Sequence, residues 1–549
     1  MRCAFVALVI ALPAFAQRSA SSNSGITPEG IRGHIRFLAS DALEGRGPAS
    51  RGDVLAQQYI ASQFEGAGLK PAGTGGSWFQ PFDIVGVDGH PTEMKFTGAK
   101  GTQPITLKFW DDLIAVAGEH QEVSRLDSSE LVFVGFGIQA SEYQWDDFKG
   151  MDLRGKTLVV MNNDPEDDPK LFAGKTRLWY GRWDYKYDTA QKLGAAGCLI
   201  IHTTPSAGYP WQVVQSSWTG EQFDLPYTDP QRLKVKGWLT EEAARRLAKA
   251  GGHDLDALRK AAQSRDFKPV SLGLQVSTSF KNVVQKKQTA NVVGLLPGSD
   301  PKLSKELVVY TAHHDHLGKK SDVKGTEDVI YNGAVDNASG VAAMLAVMKA
   351  MTGLPKAPKR SVLFAAVAAE EQGLLGSQYL VEHPPAPMGL MAVDINIDGA
   401  NIWGRTKDVS VIGLGKSNVD DIIVRLAKAQ GRSVKPDELS DRGFFYRSDQ
   451  FNFARWGVPA AYFSSGHDFV GKPDGWGKKM REEWEEKHYH QPSDELTDSW
   501  DLSGAVEDAH LYLDLGLEIA NAAKMPAWNK GDEFEIARLK ALQAAGAAK

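Results

Sequence analysis

Cysteine is nearly absent from this chain, which has only Cys3 and Cys198 among 549 residues. Cys3 lies in the N-terminal run MRCAFVALVIALPAFAQ, in which one arginine, an apolar stretch and small residues follow each other. This order is typical of a secretory signal, here with cleavage after Ala16. Export would leave Cys198 alone, which excludes an intramolecular disulfide and a zinc site built from thiolates. We expect Cys198, in the apolar run GAAGCLIIH, to be a core residue rather than a nucleophile.

Long apolar runs and long basic runs are missing as well. The apolar part of the N-terminal run is too short to span a membrane comfortably, and no later apolar stretch reaches about 18 residues. The net charge of -6 comes without a long basic stripe, which argues against a nucleic-acid partner. The sequence therefore predicts export to the periplasm or the extracellular space, no membrane span, and a small-molecule or peptide partner. The oligomeric state stays open.

The length of the chain and changes in its local composition indicate several parts. The chain is too long for a single core, and 42% hydrophobic residues exclude a disordered protein. A β-rich insertion is marked by short runs such as LVFVGFGI, TLVVMNN and GCLIIHT between polar, Trp-rich loops. We predict five parts: the signal (1–16), the first part of a principal domain (17–112), the insertion (113–268), the rest of the principal domain (269–528) and a C-terminal tail (529–549).

The principal domain shows near-continuous apolar runs that alternate with helical stretches. The runs include ELVVYTA, SVLFAAVA and MAVDINI, and the helical stretches include SGVAAMLAVMKAM and NVDDIIVRLAKAQG. Apolar runs without polar alternation are typical of strands buried on both faces. We therefore predict an α/β fold, with a mixed, mostly parallel sheet flanked by helices and a β-rich domain inserted into it.

Three of these strands end in side chains that can bind metals. ELVVYTA runs into His313–His316, SVLFAAVAA into Glu370 and Glu371, and MAVDINI into Asp398. In open α/β sheets ligands gather at the carboxyl ends of the strands, so we expect one shared site.

Two further candidates are Asp336, just before an apolar helix, and His490, in the late segment HYHQPSDE. Imidazoles and carboxylates without thiolates suit a catalytic zinc ion, or two zinc ions bridged by one carboxylate. One glutamate is left over, and it could serve as the general base.

The segment TAHHDHLG allows two interpretations. Side chains two positions apart on an extended chain share a face. Either His313 with Asp315 or His314 with His316 could therefore converge on one ion. The local sequence does not choose between the two pairs.

Six motifs, in this order, resemble the M28 family of zinc aminopeptidases with an inserted protease-associated (PA) domain: AHHDHLG, YNGAVDNASG, AAEEQGLLGS, INIDGAN, RSDQFNFARWGVPAAYFSSG and YHQPSDE. The middle section resembles a PA domain in LVFVGFGI and AQKLGAAGCLIIHTT, so the likeness covers nearly the whole chain after the signal. The resemblance implies a zinc exopeptidase fold, with residues 113–268 as the PA domain and the catalytic peptidase domain on either side of it.

The resemblance also implies the metal ligands, for two zinc ions per chain. His313, Asp336 and Asp398 would bind one ion, and Asp336, Glu371 and His490 would bind the other. Asp336 would then bridge both ions, and the family leads us to expect a cis peptide bond after it.

The catalytic roles follow from the same resemblance. Glu370 would be the general acid/base, and a metal-bound hydroxide would attack the first peptide bond of a peptide with a free N-terminus. Tyr446 or Arg447 would bind substrate or stabilise the oxyanion.

The family also selects one of the two histidine pairs. Asp315 would orient His313, so that these two form the working pair. His314 and His316 are then expected to face the other way.

Two alternatives stay open. The first is a transferase similar to glutaminyl cyclase, which works with one zinc ion, and the second is a peptide-binding relative without catalytic activity. The sequence does not fix the preferred N-terminal residue, the choice between aminopeptidase and dipeptidase or carboxypeptidase activity, or the role of the PA domain.

Overall fold

The protein contains two large β-sheets, each with a hydrophobic core of its own. The computed structural model describes residues 25–98, 103–168, 170–228, 231–320 and 328–546. The predicted signal, residues 1–16, lies outside the described residues. None of the described helices is both long and apolar enough to cross a membrane.

The principal sheet has ten strands. Four parallel strands form its centre, in the order Ser361–Val367, Leu307–His313, Met391–Asn396 and Ala460–Ser465. Antiparallel strands flank them on one side: Val283–Leu296, which also pairs with Lys70–Pro71, then Phe79–Asp88 and Gln222–Asp224. The other side carries Asp408–Val411, antiparallel to the centre, and Ser433–Pro436. The predicted mixed sheet is confirmed; among its described strands, four of the nine pairings are parallel, and three of these lie at the centre.

The central strands are buried on both faces, which explains their continuous apolar sequences. In the strand Leu307–His313, Val308 and Tyr310 face one core and Leu307 and Val309 face the other. Helices of the first core are Pro28–Leu38, Arg51–Gly66, Gly340–Thr352, Val419–Ala429 and Ser503–Asn521. The core on the other face of the principal sheet is covered by the helices Leu375–Glu382, Gln450–Arg455 and Glu535–Ala544. The last of these lies in the predicted C-terminal tail. A further helix, Trp476–Lys487, precedes the YHQPSDE segment.

The helix Gly340–Thr352 is apolar almost all round, and it is packed between the sheet and the helix Ser503–Asn521. A helix of this composition is stable only when it is buried on all sides. Each large apolar side chain contributes roughly 1.5–3 kcal/mol when it is fully buried. The loop that contains Asp336 leads directly into this buried helix. The packing of the helix therefore fixes the position of the loop.

The second sheet has eight strands, in the order Ile105–Lys108, Glu93–Gly98, Val270–Lys281, Val123–Phe133, Thr157–Met161, Gly197–His202, Val235–Thr240 and Leu113–Ala117. Its helices are Trp183–Lys192, Thr204–Ala207, Trp211–Ser217, Glu241–Ala250 and Leu255–Ala262. Most strands of the predicted insertion, residues 113–268, belong to this sheet, but Gln222–Asp224 pairs with the principal sheet. The second sheet also includes strands before and after the insertion. Cys198 is 1% exposed there, so its prediction as a core residue is confirmed.

Candidate metal centre

The predicted strand ends lie side by side. His313 is the last residue of the central strand, Glu370 and Glu371 form the turn after one parallel neighbour, and Asp398 follows the other. Parallel strands bring their carboxyl ends to one edge of a sheet. Nε2 of His313 lies 3.3 Å from Oδ1 of Asp398. The predicted convergence of these side chains is therefore confirmed.

Asp336 lies between two imidazoles. Its Oδ1 is 3.2 Å from Nε2 of His313, and its Oδ2 is 3.2 Å from Nε2 of His490. One carboxylate thus offers a separate oxygen to each side of the site.

Hydrogen bonds to the backbone fix the loop that carries Asp336. The carboxylate of Asp494 accepts from the N–H of Val335 at 3.0 Å and from that of Asp336 at 3.1 Å. The side chain of Asn337 accepts from the N–H of Gly340 at 2.9 Å. The peptide bond between Asp336 and Asn337 is cis, as the family resemblance implies.

The side chains form two groups of three whose donor atoms lie within 4.8 Å of one another. These groups are His313, Asp336 and Asp398, and His316, Asp336 and Glu371. His490 contacts the second group, since its Nε2 lies 3.1 Å from Oε2 of Glu371. The other four predicted ligands therefore lie around Asp336, and His316 lies next to them.

The expectation that His316 faces away from the site is wrong. Its Nδ1 lies 2.7 Å from Oε1 of Glu371. The strand ends at His313, so the alternation of an extended chain no longer sets the direction of the following side chains. His314 does face away, with its Nε2 2.9 Å from Oδ1 of the buried Asp53.

Asp315 contacts the Glu370–Glu371 turn more closely than it contacts His313. Its carboxylate accepts from the N–H of Glu370 at 3.0 Å and of Glu371 at 3.4 Å. The distance from its Oδ1 to Nδ1 of His313 is 3.8 Å, which is too long for a hydrogen bond. Nδ1 of His313 instead lies 3.3 Å from the backbone carbonyl oxygen of Asp315.

Burial and charge act against each other at the imidazoles. Burial lowers the pKa of His490, but Glu371 and Asp336 outweigh it and raise this pKa to about 9. Burial likewise opposes protonation of His313, and the surrounding carboxylates, Glu370 foremost, raise its pKa well above the usual value. The carboxylates therefore attract positive charge into a buried site. Divalent cations would satisfy the same demand and displace these protons.

Glu370 precedes Glu371 in the same turn. It lines the cavity, and its side chain forms no hydrogen bond with any residue in the described ranges. Burial raises the pKa of Glu370 well above its usual value, with His313 opposing this effect and Glu371 adding to it. A carboxyl group in such a position can exchange a proton with a bound molecule.

The site opens into a cavity with aromatic walls, formed by Trp403, Phe444, Tyr462, Phe469, Trp484 and Tyr489. Arg447 lines this cavity and donates from Nη2 to the hydroxyl of Tyr489 at 3.2 Å. Its guanidinium carbon lies 5.4 Å from the ring centroid of Tyr209 and 5.0 Å from that of Phe444. Among the residues that the structure describes, no carboxylate forms an ion pair with Arg447.

Tyr446 does not belong to the cavity wall. It is 1% exposed, its hydroxyl donates to Oε1 of Glu533 at 2.7 Å, and its ring contacts Phe445 and Phe451. The structure therefore does not support a role of Tyr446 in binding substrate or stabilising an oxyanion.

Two contacts of His490 were missed by the sequence reasoning. The ring of Tyr489 lies 4.0 Å from the imidazole of His490, centroid to centroid, and the adjacency of the two residues in YHQPSDE is the signal for this contact. Oγ of Ser217 lies 2.7 Å from Nδ1 of His490. No local pattern points to Ser217, because it comes from the second domain.

Comparison with known proteins agrees with this geometry. Residues 291–513 match the model of peptidase family M28. Aminopeptidase NAALADL1 of Mus musculus is 31% identical over 176 residues, which is 28% of this chain and 22% of that protein. Aminopeptidase YwaD of Bacillus subtilis (strain 168) is 28% identical over 233 residues, or 41% of this chain and 44% of that protein. The chain therefore spans less than half the length of either relative.

A solved structure shares the fold more widely. The aminopeptidase from Aneurinibacillus sp. strain AM-1 superposes with a TM-score of 0.51 at 19% identity, covering 91% of this chain and 94% of that one. At this identity the likeness concerns the fold alone, and its coverage includes both sheets. The family match contains all five predicted ligands, from His313 to His490, and the similarity to peptidase family M28 lies in residues 291–513, which are less than half of the chain.

Proposed function

We propose that this protein is an exported aminopeptidase that binds two zinc ions and hydrolyses the first peptide bond of peptides with a free N-terminus. The observation that carries the proposal is the position of Asp336, whose two oxygens face two different imidazoles at 3.2 Å each. A carboxylate in this position can bind one ion through each oxygen, as bridging carboxylates of two-metal sites do. Export rests on the N-terminal sequence pattern.

The side chains around Asp336 suit zinc. They offer imidazole nitrogens and carboxylate oxygens, which form the ligand sets of catalytic zinc sites rather than of thiolate structural sites. We assign His313, Asp336 and Asp398 to one ion, and Asp336, Glu371 and His490 to the other.

His316 competes with His490 for the second site, and we assign it a different role. Its Nδ1 lies 2.7 Å from Oε1 of Glu371, which is a good hydrogen-bond distance. Oε2 of Glu371 faces His490 instead, at 3.1 Å. His316 would therefore hold one oxygen of Glu371 and leave the other free for the ion.

Glu370 is the proposed general acid/base. Zinc ions in this site would polarise the peptide carbonyl and lower the pKa of the attacking water. Glu370, without a hydrogen-bond partner and facing the cavity, would accept a proton from that water and return it to the leaving amine. Asp315 would keep Glu370 in position through its hydrogen bond from the Glu370 N–H, 3.0 Å long.

We propose Arg447 as a substrate contact. Its guanidinium lies between the rings of Tyr209 and Phe444, without an ion pair to any carboxylate that the structure describes. Keeping a partly desolvated cation without a counter-charge is costly, and an anionic ligand would offset this cost. A carboxylate of the substrate, at its C-terminus or on an acidic side chain, provides that charge.

We further propose that the domain built around the second sheet is a PA domain. Its support is a β-rich unit that interrupts the peptidase fold between the strands Phe79–Asp88 and Val283–Leu296. The strands Glu93–Gly98 and Val270–Lys281 extend it on both sides of the predicted range 113–268.

A panel of aminoacyl anilides and N-blocked peptides, assayed with and without a chelator, tests the activity. We expect cleavage of free N-termini, loss of cleavage with chelator, and recovery on addition of Zn²⁺. Cleavage of blocked peptides alone would contradict the aminopeptidase proposal. One tightly bound zinc ion per chain, together with cyclisation of N-terminal glutamine, would indicate the transferase instead.

A further inference from the structure

The second domain reaches the metal centre through one side chain. Ser217 ends the helix Trp211–Ser217, and its Oγ lies 2.7 Å from Nδ1 of His490. On the opposite side of the same ring, Nε2 faces Asp336 at 3.2 Å and Glu371 at 3.1 Å. The imidazole of His490 is therefore held through both of its nitrogens, one of them by a residue from outside the peptidase domain.

The contact with Ser217 has a chemical consequence for the ring. An imidazole that binds a metal ion through Nε2 carries its proton on Nδ1. With an ion on Nε2 of His490, its Nδ1–H would donate to the hydroxyl oxygen of Ser217, 2.7 Å away. Hydrogen bonds of this kind fix the orientation and the tautomer of a metal-binding histidine and make it a stronger ligand.

Ser217 is itself fixed against the peptidase domain. Lys320 donates from Nζ to the backbone carbonyl oxygens of Ser216 and Thr219, the latter at 2.9 Å. Both carbonyls lie within two residues of Ser217, at the C-terminal end of its helix. A buried cation at this end of a helix is favourable, because the carbonyls there carry partial negative charge.

The chain after Ser217 joins the principal sheet. Gln222–Asp224 pairs with Phe79–Asp88 at the edge of that sheet. The N–H of Phe223 donates to Oε1 of Gln372 at 3.0 Å, next to the Glu370–Glu371 turn. The segment from the second domain therefore packs against two sides of the metal centre, and its position is set by hydrogen bonds at both ends.

We propose that Ser217 is a positioning residue of the metal centre, which holds His490 in the tautomer and orientation that bind one of the two zinc ions. This inference rests on the proposed function, because it assigns His490 to an ion. It gives the second domain a role within the site: the domain contributes to the affinity for one ion without contacting that ion.

The test compares metal binding by the full chain and by Ser217→Ala. Zn²⁺ is titrated into metal-free protein by calorimetry, and Co²⁺ is followed by its visible absorption. We expect Ser217→Ala to bind one ion roughly 10- to 100-fold more weakly and the other ion with unchanged affinity. Ser217→Thr keeps the hydroxyl and is expected to bind both ions normally. Ser217→Cys keeps the size of the side chain, but its sulfur is a weak acceptor, so it should resemble Ser217→Ala.

Ser216→Ala is the matched control. Its hydroxyl lies on the same helix and donates to the carbonyl of Val213 at 3.2 Å rather than to His490. This variant is expected to bind both ions normally. Thermal unfolding of the metal-free proteins checks that the variants fold alike.

Equal affinities of Ser217→Ala and the unchanged protein for both ions would overturn the proposal. Equal weakening in Ser216→Ala would overturn it as well, since the effect would then come from the helix and not from the hydrogen bond. A failure of the proposed function would give a different result from a failure of this inference. In that case the unchanged protein itself would bind fewer than two ions.

Discussion

Nδ1 of His316 lies 2.7 Å from Oε1 of Glu371, although alternation along TAHHDHLG assigns His316 to the opposite side of the chain. The contact determines which oxygen of Glu371 is available. Oε1 is occupied by His316, and Oε2 faces His490 at 3.1 Å. His316 and His490 are thus two imidazoles on one carboxylate, with different proposed roles.

Substituting each of these two histidines is expected to affect zinc binding differently. His490→Ala removes a proposed ligand, so the dialysed protein should retain one zinc ion per chain. His316→Ala removes only the contact that holds Glu371, so both ions should bind, one of them about 10- to 100-fold more weakly. Metal analysis after dialysis and Zn²⁺ titration measure both effects. Loss of an ion from His316→Ala with retention in His490→Ala would reverse the assignment.

His313 and His314 are neighbours with separate roles, and their substitution should separate metal binding from stability. His313→Ala is expected to lose one zinc ion. His314→Ala should keep both ions but lower the free energy of unfolding by roughly 1–3 kcal/mol, because buried Asp53 loses a hydrogen-bond partner 2.9 Å away. Metal analysis and urea denaturation check the pair. An empty zinc site in His314→Ala would contradict the assignment.

Glu370→Gln is expected to slow the reaction strongly and leave the metal centre intact. The amide cannot accept a proton from water, so kcat should fall by roughly 10²- to 10⁴-fold. The zinc content should not change, since the two triads do not include Glu370. Steady-state kinetics with an aminoacyl anilide and metal analysis of the same sample test this. Full activity in this variant would exclude Glu370 as the general base.

The sequence predicts the central strands, and the position of the polar side chains at their ends, well for a physical reason. A strand such as Leu307–His313 is buried on both faces, and its sequence is therefore apolar almost without interruption. Such a run can be recognised in the sequence alone. Its carboxyl end then places the run His313–His316 at the edge of the sheet, and the family resemblance selects His313 from that run. The direction of His316 could not be predicted in the same way, because the regular backbone ends three residues earlier.

Contacts between distant parts of the chain leave no local signal. Ser217 and His490 are 273 residues apart, and an isolated serine in a short helix resembles any other. Tyr446 and Arg447 are adjacent in the sequence, yet one is part of the core and the other lines the cavity. The packing around a short turn decides which of two neighbouring residues faces a cavity. No periodic pattern in a single sequence predicts that packing.

Arg447→Gln is expected to change substrate preference rather than the chemical step. If the guanidinium binds a substrate carboxylate, kcat/KM for dipeptides with a free C-terminus should fall by about 10-fold or more, which is the effect of about 1.4 kcal/mol in binding. The corresponding dipeptide amides should be cleaved as before. Arg447→Lys keeps the charge and should retain part of the preference. An equal loss on acids and amides would instead indicate a contact with the oxyanion.

Metal removal is expected to lower thermal stability together with activity. In the metal-free site, Asp336, Glu371 and Asp398 remain as closely spaced carboxylates around three imidazoles. Ions that bind only the folded chain stabilise it, by about 4 kcal/mol at a free concentration 1,000 times the Kd. The melting temperature should therefore fall on chelation and recover with Zn²⁺, but not with Mg²⁺, which prefers oxygen ligands alone. Glu370→Gln is the control, since it lacks activity but should show the same shift in melting temperature. A chelator-insensitive melting temperature in both proteins would contradict metal binding at this site.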